Sequence, residues 1–199
     1  MSNDVDVLVI GAGACGLSAA IAAHDGGASV AIVEKRDRPG GNSSLSTGSV
    51  PGAGSRFQRA AGIVDSPAQM IADLTRIAGD TEDPALLQRM AEVSAETVEW
   101  LVDTVEARMQ LITAYKHIGH TVERLHAPRS RRGQDLVDDL LSAVAKRSIP
   151  LAVGNTVEDL IVENGRVAGA VVDTGGHVSR IIAHHVVLAV NGLRRIAVW

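Results

Sequence analysis

A doubly wound α/β fold is the architecture this sequence predicts, on three observations. An apolar strand, Val5 to Ile10, runs directly into Gly11-Ala12-Gly13-Ala14-Cys15-Gly16. A helix-forming run, Leu17 to Ala23, follows and stops at Gly26-Gly27. A second strand, Ser29 to Val33, ends on the acidic Glu34, 23 residues beyond Gly11. Together they complete a βαβ unit of about 30 residues.

Each part of that unit has a physical task. Gly11 supplies a tight turn, Gly13 lets the backbone approach a pyrophosphate, and Gly16 packs the helix closely against the strand. The free N–H groups at the helix start, around Ala14, Cys15 and Gly16, face the anion. Glu34 sits where such units hold a carboxylate for a ribose hydroxyl pair. A GxGxxG spacing alone is weak in a chain with 20 glycines, and an ordinary Gly-rich turn is the plain alternative. The strand before it, the helix after it and Glu34 carry the assignment of a dinucleotide site.

Residues 35–57 are rich in Gly, Ser, Pro and Asn and sustain no period, so they read as one long loop. Loops beyond about 12–15 residues in a compact domain are usually functional or disordered. The Gly40-Gly41-Asn42-Ser43 segment favours the first, a surface linker the second. From Pro67 to Met109 apolar residues recur at three- and four-residue spacing, giving two or three helices with Trp100 and the methionines in the core. Asp65-Ser66-Pro67 and Asp83-Pro84 read as helix starts and Gly79-Asp80 as a stop. Tyr115 to Gly133 is polar and irregular, and Asp135 to Lys146 is a further amphipathic helix. Short β-branched runs then follow: Leu151–Val153, Val157–Glu163, Val167–Asp173, Val178–Ile182 and Val186–Val190. Asn164-Gly165 and Gly175-Gly176 mark hairpin turns. Inserted helices and a small antiparallel meander therefore interrupt a Rossmann-like sheet.

Composition excludes several classes. A net charge of −4 with no basic block beyond Arg129, Arg131 and Arg132 argues against nucleic acid. No apolar run reaches the ~18 residues of a membrane span, and the acidic N-terminus enters a strand at once, so a cytoplasmic location is the expectation. Cys15 is the single cysteine, which excludes an internal disulfide and a cysteine-rich metal site. A thiol at a helix N-terminus can be reactive, but a small side chain is the simpler reason for Cys15 in this loop. His117 and His120 have HxxH spacing without an evident third ligand, so no metal is expected. His184-His185 reads as an exposed edge pair. No Ser/His/Asp arrangement is readable from spacing.

The Gly11 to Ala20 segment, joined to Glu34-Lys35 and Gly40-Gly41-Asn42-Ser43-Ser44-Leu45-Ser46-Thr47-Gly48, resembles the FAD-binding domain of the fumarate reductase/succinate dehydrogenase flavoprotein family. Gly119 to His126, Val157 to Ile161, Gly165 to Ala170 and Val186 to Ala189 extend the resemblance through nearly the whole chain. It implies an α/β, Rossmann-like FAD-binding domain over residues 1–190 and FAD as cofactor. It implies that amides at Ala14 meet the pyrophosphate and that Glu34 binds the adenosine ribose. Lys35, Gly41, Asn42 and Ser43 follow the nucleotide and ribityl chain, Thr47 and Gly48 lie near the flavin ring, and the main chain of Val157 meets the adenine. His126 matches a histidine on the substrate side of the ring.

Two departures from that family stand out. Membrane-bound members link the flavin to a histidine after the glycine pair, and residues 42–48 hold none, so FAD is expected to be noncovalent. Family members also continue past the Ala189-like strand into a substrate-capping domain, whereas residues 191–199 form an atypical tail, which makes a truncated member, with apolar surface around Leu188 and Val190 uncovered, the expectation. The implied activity is hydride transfer between flavin and a carbon next to an activating group, in an oxidoreductase acting on CH–CH groups and a small-molecule substrate. Alternatives are a noncatalytic FAD module completed by a second chain, and an amine oxidase or desaturase type of flavoenzyme, against which Asn42 argues. Loop and Glu34 alone also leave an NAD dehydrogenase open.

Overall fold

The computed structural model describes residues 4–79 and 83–190. The expected stop at Asp80 and the atypical tail lie outside the described residues. The chain divides into two compact units, Met1–Leu45 with Leu140–Trp199, and Ser46–Asp139.

The first unit is built on strands β1 (Asp4–Ile10), β2 (Val30–Glu34), β6 (Leu151–Val153), β7 (Thr156–Glu163), β8 (Arg166–Thr174) and β9 (His177–Leu188). They form one sheet in the order β6-β2-β1-β9-β8-β7, parallel from β6 through β9 and antiparallel from β9 to β7. Strand β1 is central, so its inner residues meet neighbours on both faces, and Leu8 and Val9 are fully buried. Leu8, Ile10, Val33, Ala170, Val172 and Ala183 form one core cluster. Helix α1 (Ala14–Asp25) contributes the buried Leu17, Ala20 and Ile21. It ends at Gly26, and Gly27 takes the left-handed φ of 91° that turns the chain toward β2. Asn164 and Gly165, at φ 52° and 75°, form the two-residue hairpin expected between β7 and β8.

The two apolar runs at 178–182 and 186–190 belong to a single twelve-residue strand, β9. It pairs with β8 as far as Ile182 and with β1 from Ile182 onward. His184 and His185 therefore lie inside the sheet order and not at its edge, with His185 in register with Val7. Both are exposed although consecutive strand residues face opposite sides of the sheet, and His184 Nδ1 sits 3.1 Å from Asp6 Oδ1.

The second unit contains helices α3 (Arg56–Ala60), α4 (Pro67–Ala78) and α5 (Pro84–Asp103) and a three-stranded antiparallel sheet. That sheet runs β3 (Val50–Pro51), β5 (Leu125–Pro128), β4 (Met109–Leu111). Ser66 Oγ accepts from the Gln69 amide, and Asp83 Oδ1 accepts from the amides of Ala85 and Leu86, so the helix starts stand where Ser-Pro and Asp-Pro place them. Helix α5 is one element across both apolar clusters. Met70 is buried, but Met90 is 43% exposed and is not a core residue. The stretch 35–57, expected to be loop, holds α2 (Gly41–Leu45), β3 and the start of α3. Elements of two to five residues are too short to impose a hydrophobic period. Helix α6 (Gly133–Lys146) spans the boundary between the units. Among the described residues no helix is long and apolar enough to cross a membrane.

Candidate functional site

In the first unit the carboxyl ends of the four parallel strands all open on one cleft of about 350 Å³. Strand β1 delivers Gly11, β2 delivers Glu34 to Arg36, β6 leads to Asn155 and Thr156, and β9 leads to Ala189 and Val190. This is the edge at which open parallel sheets bind ligands. The volume lies within the ~300–1,000 Å³ of small-molecule sites.

The three loop glycines divide as the sequence suggests. Gly11 has φ 104°, and a Cβ on it would lie 2.6 Å from the Ala189 carbonyl oxygen. A Cβ on Gly16 would lie 1.9 Å from the Gly11 carbonyl oxygen, so any side chain there breaks the packing of turn on helix. Gly13 differs: a Cβ on it meets nothing nearer than Ser43 Oγ at 3.6 Å and Gly40 O at 3.8 Å. It would stand in the cleft, in space that a ligand backbone can use. Main-chain conformation fixes Gly11 and Gly16, and access fixes Gly13.

Helix α1 starts from Gly13, which gives no side-chain cap, and its first turn carries no acidic residue. The Ala14 amide donates to Ser43 Oγ at 3.1 Å. Among the described residues no acceptor meets the amides of Cys15 and Gly16. Two uncompensated N–H groups at the positive end of a twelve-residue helix form an anion seat. Glu34 closes the other end, where Oε2 accepts from the Ala12 amide at 2.8 Å and Oε1 from the Arg36 amide at 2.9 Å. Each carboxylate oxygen keeps a second lone pair for a ribose hydroxyl. Lys35, Gly41, Asn42, Ser43 and Val157 also line the cleft, and Cys15 is an exposed free thiol on it.

The cleft includes Arg36, Asn155, Thr156, Ala189 and Val190 as well, none of which spacing singled out. Asn155 is locked in place, its amide donating to Glu34 O and its Oδ1 accepting from Thr174 Oγ1. The readable signal was the Gly154-Asn155 turn directly after a parallel strand. Thr47, Gly48 and His126 belong to the second unit. Thr47 Oγ1 lies 2.9 Å from Ser49 Oγ, and Gly48 takes a left-handed φ of 65° at which a Cβ would be strained and tight against Gly133 Cα at 3.1 Å.

His126 is fully buried. Its Nε2 lies 2.9 Å from Ser55 Oγ and its ring meets Phe57 edge-on at a centroid distance of 5.5 Å. Nδ1 is buried without a hydrogen bond. Burial pushes its pKa down, against weaker opposing effects from backbone carbonyls and Glu99. Nearby, the fully buried Arg124 guanidinium is bonded to both oxygens of Asp65, at 3.0 Å each, and to Asp73 Oδ2 at 2.8 Å. Burial alone would raise the pKa of Asp73, but the Thr121 amide and hydroxyl, Arg124 and Arg76 hold it well below the usual carboxylate range. The rings of His117 and His120 are 5.4 Å apart, and among the described residues they gather no metal-binding cluster.

A βαβ turn with an open helix N-terminus and an acidic side chain held at the end of the second strand defines a dinucleotide-binding α/β protein. The chain belongs to the family described as FAD binding domain, whose profile matches residues 6–198, and FAD is its cofactor. It is similar to the NADH:fumarate oxidoreductase of Klebsiella pneumoniae (strain 342), 34% identical over 190 residues that make up 94% of this chain and 20% of that protein. A flavocytochrome c3 fumarate reductase in an open conformation superposes with a TM-score of 0.86 at 33% identity, over 93% of this chain and 33% of that one. The 3-ketosteroid-delta4-(5alpha)-dehydrogenase of Rhodococcus jostii RHA1 follows at 0.80 and 25% identity, over 93% of this chain and 45% of that one. The chain thus spans between a fifth and under a half of the length of these relatives.

Proposed function

We propose that this chain is the FAD-holding part of an oxidoreductase of the fumarate reductase type. Such an enzyme interconverts an alkene carrying an activating group and its saturated product. The cofactor supplies the hydride chemistry when bound. This chain's own residues bind and orient: the Cys15 and Gly16 amides take the pyrophosphate charge, Gly13 gives it room, and Glu34 holds the adenosine ribose. The open anion seat beside Gly13 is the observation that carries the reading.

Noncovalent attachment is part of the proposal, supported by a 42–48 segment without histidine. Its substrate class is an activated alkene or its saturated product, as the names of the fumarate and ketosteroid relatives suggest. His126 is given no role in proton delivery, because its ring has no exposed surface. A cytoplasmic location completes the proposal, and fractionation of a tagged chain against a cytosolic marker tests it.

The decisive experiment incubates the purified chain with FAD, removes unbound cofactor by gel filtration and records the visible spectrum. Retained flavin that is lost in Gly13→Val supports the site, whereas equal retention by that variant overturns it. Oxidation of a reduced dye on addition of fumarate or a 4-ene-3-ketosteroid then tests the reaction class.

A further inference from the structure

We propose that Glu34 is a positioning residue for the phosphate loop: its carboxylate latches that loop in its anion-binding shape, independently of any contact to ribose. The proposal rests on the reading of the cleft as the FAD site. Its basis is the pair of bonds that Glu34 makes within the chain. One oxygen takes the Ala12 amide, between the first two loop glycines and 22 residues away, while the other takes the Arg36 amide.

The bonds around this carboxylate tie three strand ends together. Ala12 O accepts from the Gly40 amide, which joins the loop to the glycine pair. Arg36 O accepts from the Gly154 amide and Glu34 O from the Asn155 amide, which join the end of β2 to the turn after β6. Glu34 is thus the side chain through which the pyrophosphate end of the cleft is coupled to the adenosine end. Both amides it accepts are donors, so the group between them must present two acceptors. A carboxylate does this and still offers lone pairs to two hydroxyls. A glutamine cannot, since its amide has one acceptor oxygen and one NH2, and the NH2 must face either Ala12 N–H or Arg36 N–H.

Glu34→Gln therefore frees one end of the latch. Simple electrostatics gives the opposite sign, because removing a negative charge beside an anion seat should strengthen anion binding. Binding is measured for wild type and Glu34→Gln with two ligands, FAD and an FAD analogue lacking both adenosine ribose hydroxyls. The latch predicts that Glu34→Gln weakens both ligands, by about tenfold where the donor left unmet is the partly buried Ala12 amide and by less where it is the exposed Arg36 amide. A penalty confined to FAD, with the analogue bound equally by both proteins, assigns Glu34 to the ribose alone and overturns the proposal.

Amide hydrogen exchange in the absence of any ligand gives a second readout. Ala12 and Arg36 amides exchange slowly in the wild type, and at least one of them accelerates about tenfold or more in Glu34→Gln. The Gly11 amide, bonded to Val33 O, serves as the unchanged reference. Unchanged exchange at both Ala12 and Arg36 overturns the latch. If the variant does not fold, the wild type alone decides, since rapid exchange at Ala12 is incompatible with the proposal. A wild type that binds neither ligand counts against the cofactor reading, while the exchange measurement still decides the latch.

Discussion

The two units of this chain handle polarity in opposite ways. The first leaves main-chain donors unanswered at the open edge of its sheet, around Cys15 and Gly16, and keeps charged side chains out of its core. The second buries a full ionic cluster, Arg124 with Asp65 and Asp73, and answers its atoms from within. An unanswered group at a surface cleft is an invitation to a ligand, whereas an answered group in the interior is a device for fixing one conformation. The buried groups with shifted ionisation, Asp73 and His126, lie in the second unit, the shifted Asp6 and Asp25 of the first lie at its surface, and the proposed binding belongs to the first.

The largest effect that tests this contrast is Arg124→Met. Two buried carboxylates then lose their shared cation, and a loss of about 3–5 kcal/mol is expected in denaturant melts. A change below about 1 kcal/mol would mean the cluster is replaceable by ordinary packing. In the first unit two glycines separate folding from binding. Gly16→Ala places a Cβ 1.9 Å from a carbonyl oxygen and lowers the melting temperature. Gly13→Val leaves the melting of the cofactor-free chain unchanged and weakens FAD by about 100-fold, or ~2.7 kcal/mol. If both variants affect melting equally, the distinction between conformation and access fails.

Acid response sharpens the contrast further. Burial holds the folded-state pKa of His126 below the ordinary value near ~6.5, so the unfolded chain takes up its proton first as pH falls. Its contribution is complete above about pH 6.5 and declines below it, and His126→Gln should flatten that part of the stability profile. Asp73 acts in a lower window, because its depressed pKa gives stability that is present above about pH 3.9 and lost as pH falls through the folded value. The smallest effect is expected at the exposed pair of Arg180 and Glu163, 3.6 Å apart. Arg180→Ala should cost no more than about 1 kcal/mol, and less in high salt.

The βαβ unit was legible because its signals are local: a strand, three glycines, a helix and an acidic residue lie within one short stretch of sequence. The cleft residues contributed by later strands were not. Asn155 and Ala189 reach the site only because β6 and β9 join the parallel sheet beside β2 and β1, which is a matter of topology. The small sheet of the second unit was hidden for a different reason, since its strands have two to four residues. Arg124 gave no sign of burial, because its partners Asp65 and Asp73 are 59 and 51 residues away. The Ser55–Gln58 capping box that opens α3 was within reach of a sequence reading and lay overlooked in an apparent loop.

Strand β9 has a consequence for how length variation is tolerated. It serves β8 with its first half and β1 with its second, and it ends by placing the Ala189 carbonyl against Gly11. It is therefore a common ruler for the hairpin and the phosphate loop. One residue added between Ile182 and Leu188 reverses every side chain that follows and moves Ala189 off the loop glycine. The same residue added at Gly175-Gly176, where the chain turns at φ 63° and 94°, is absorbed by the turn. Insertions and deletions should accumulate at that hairpin tip and be purged from the second half of the strand.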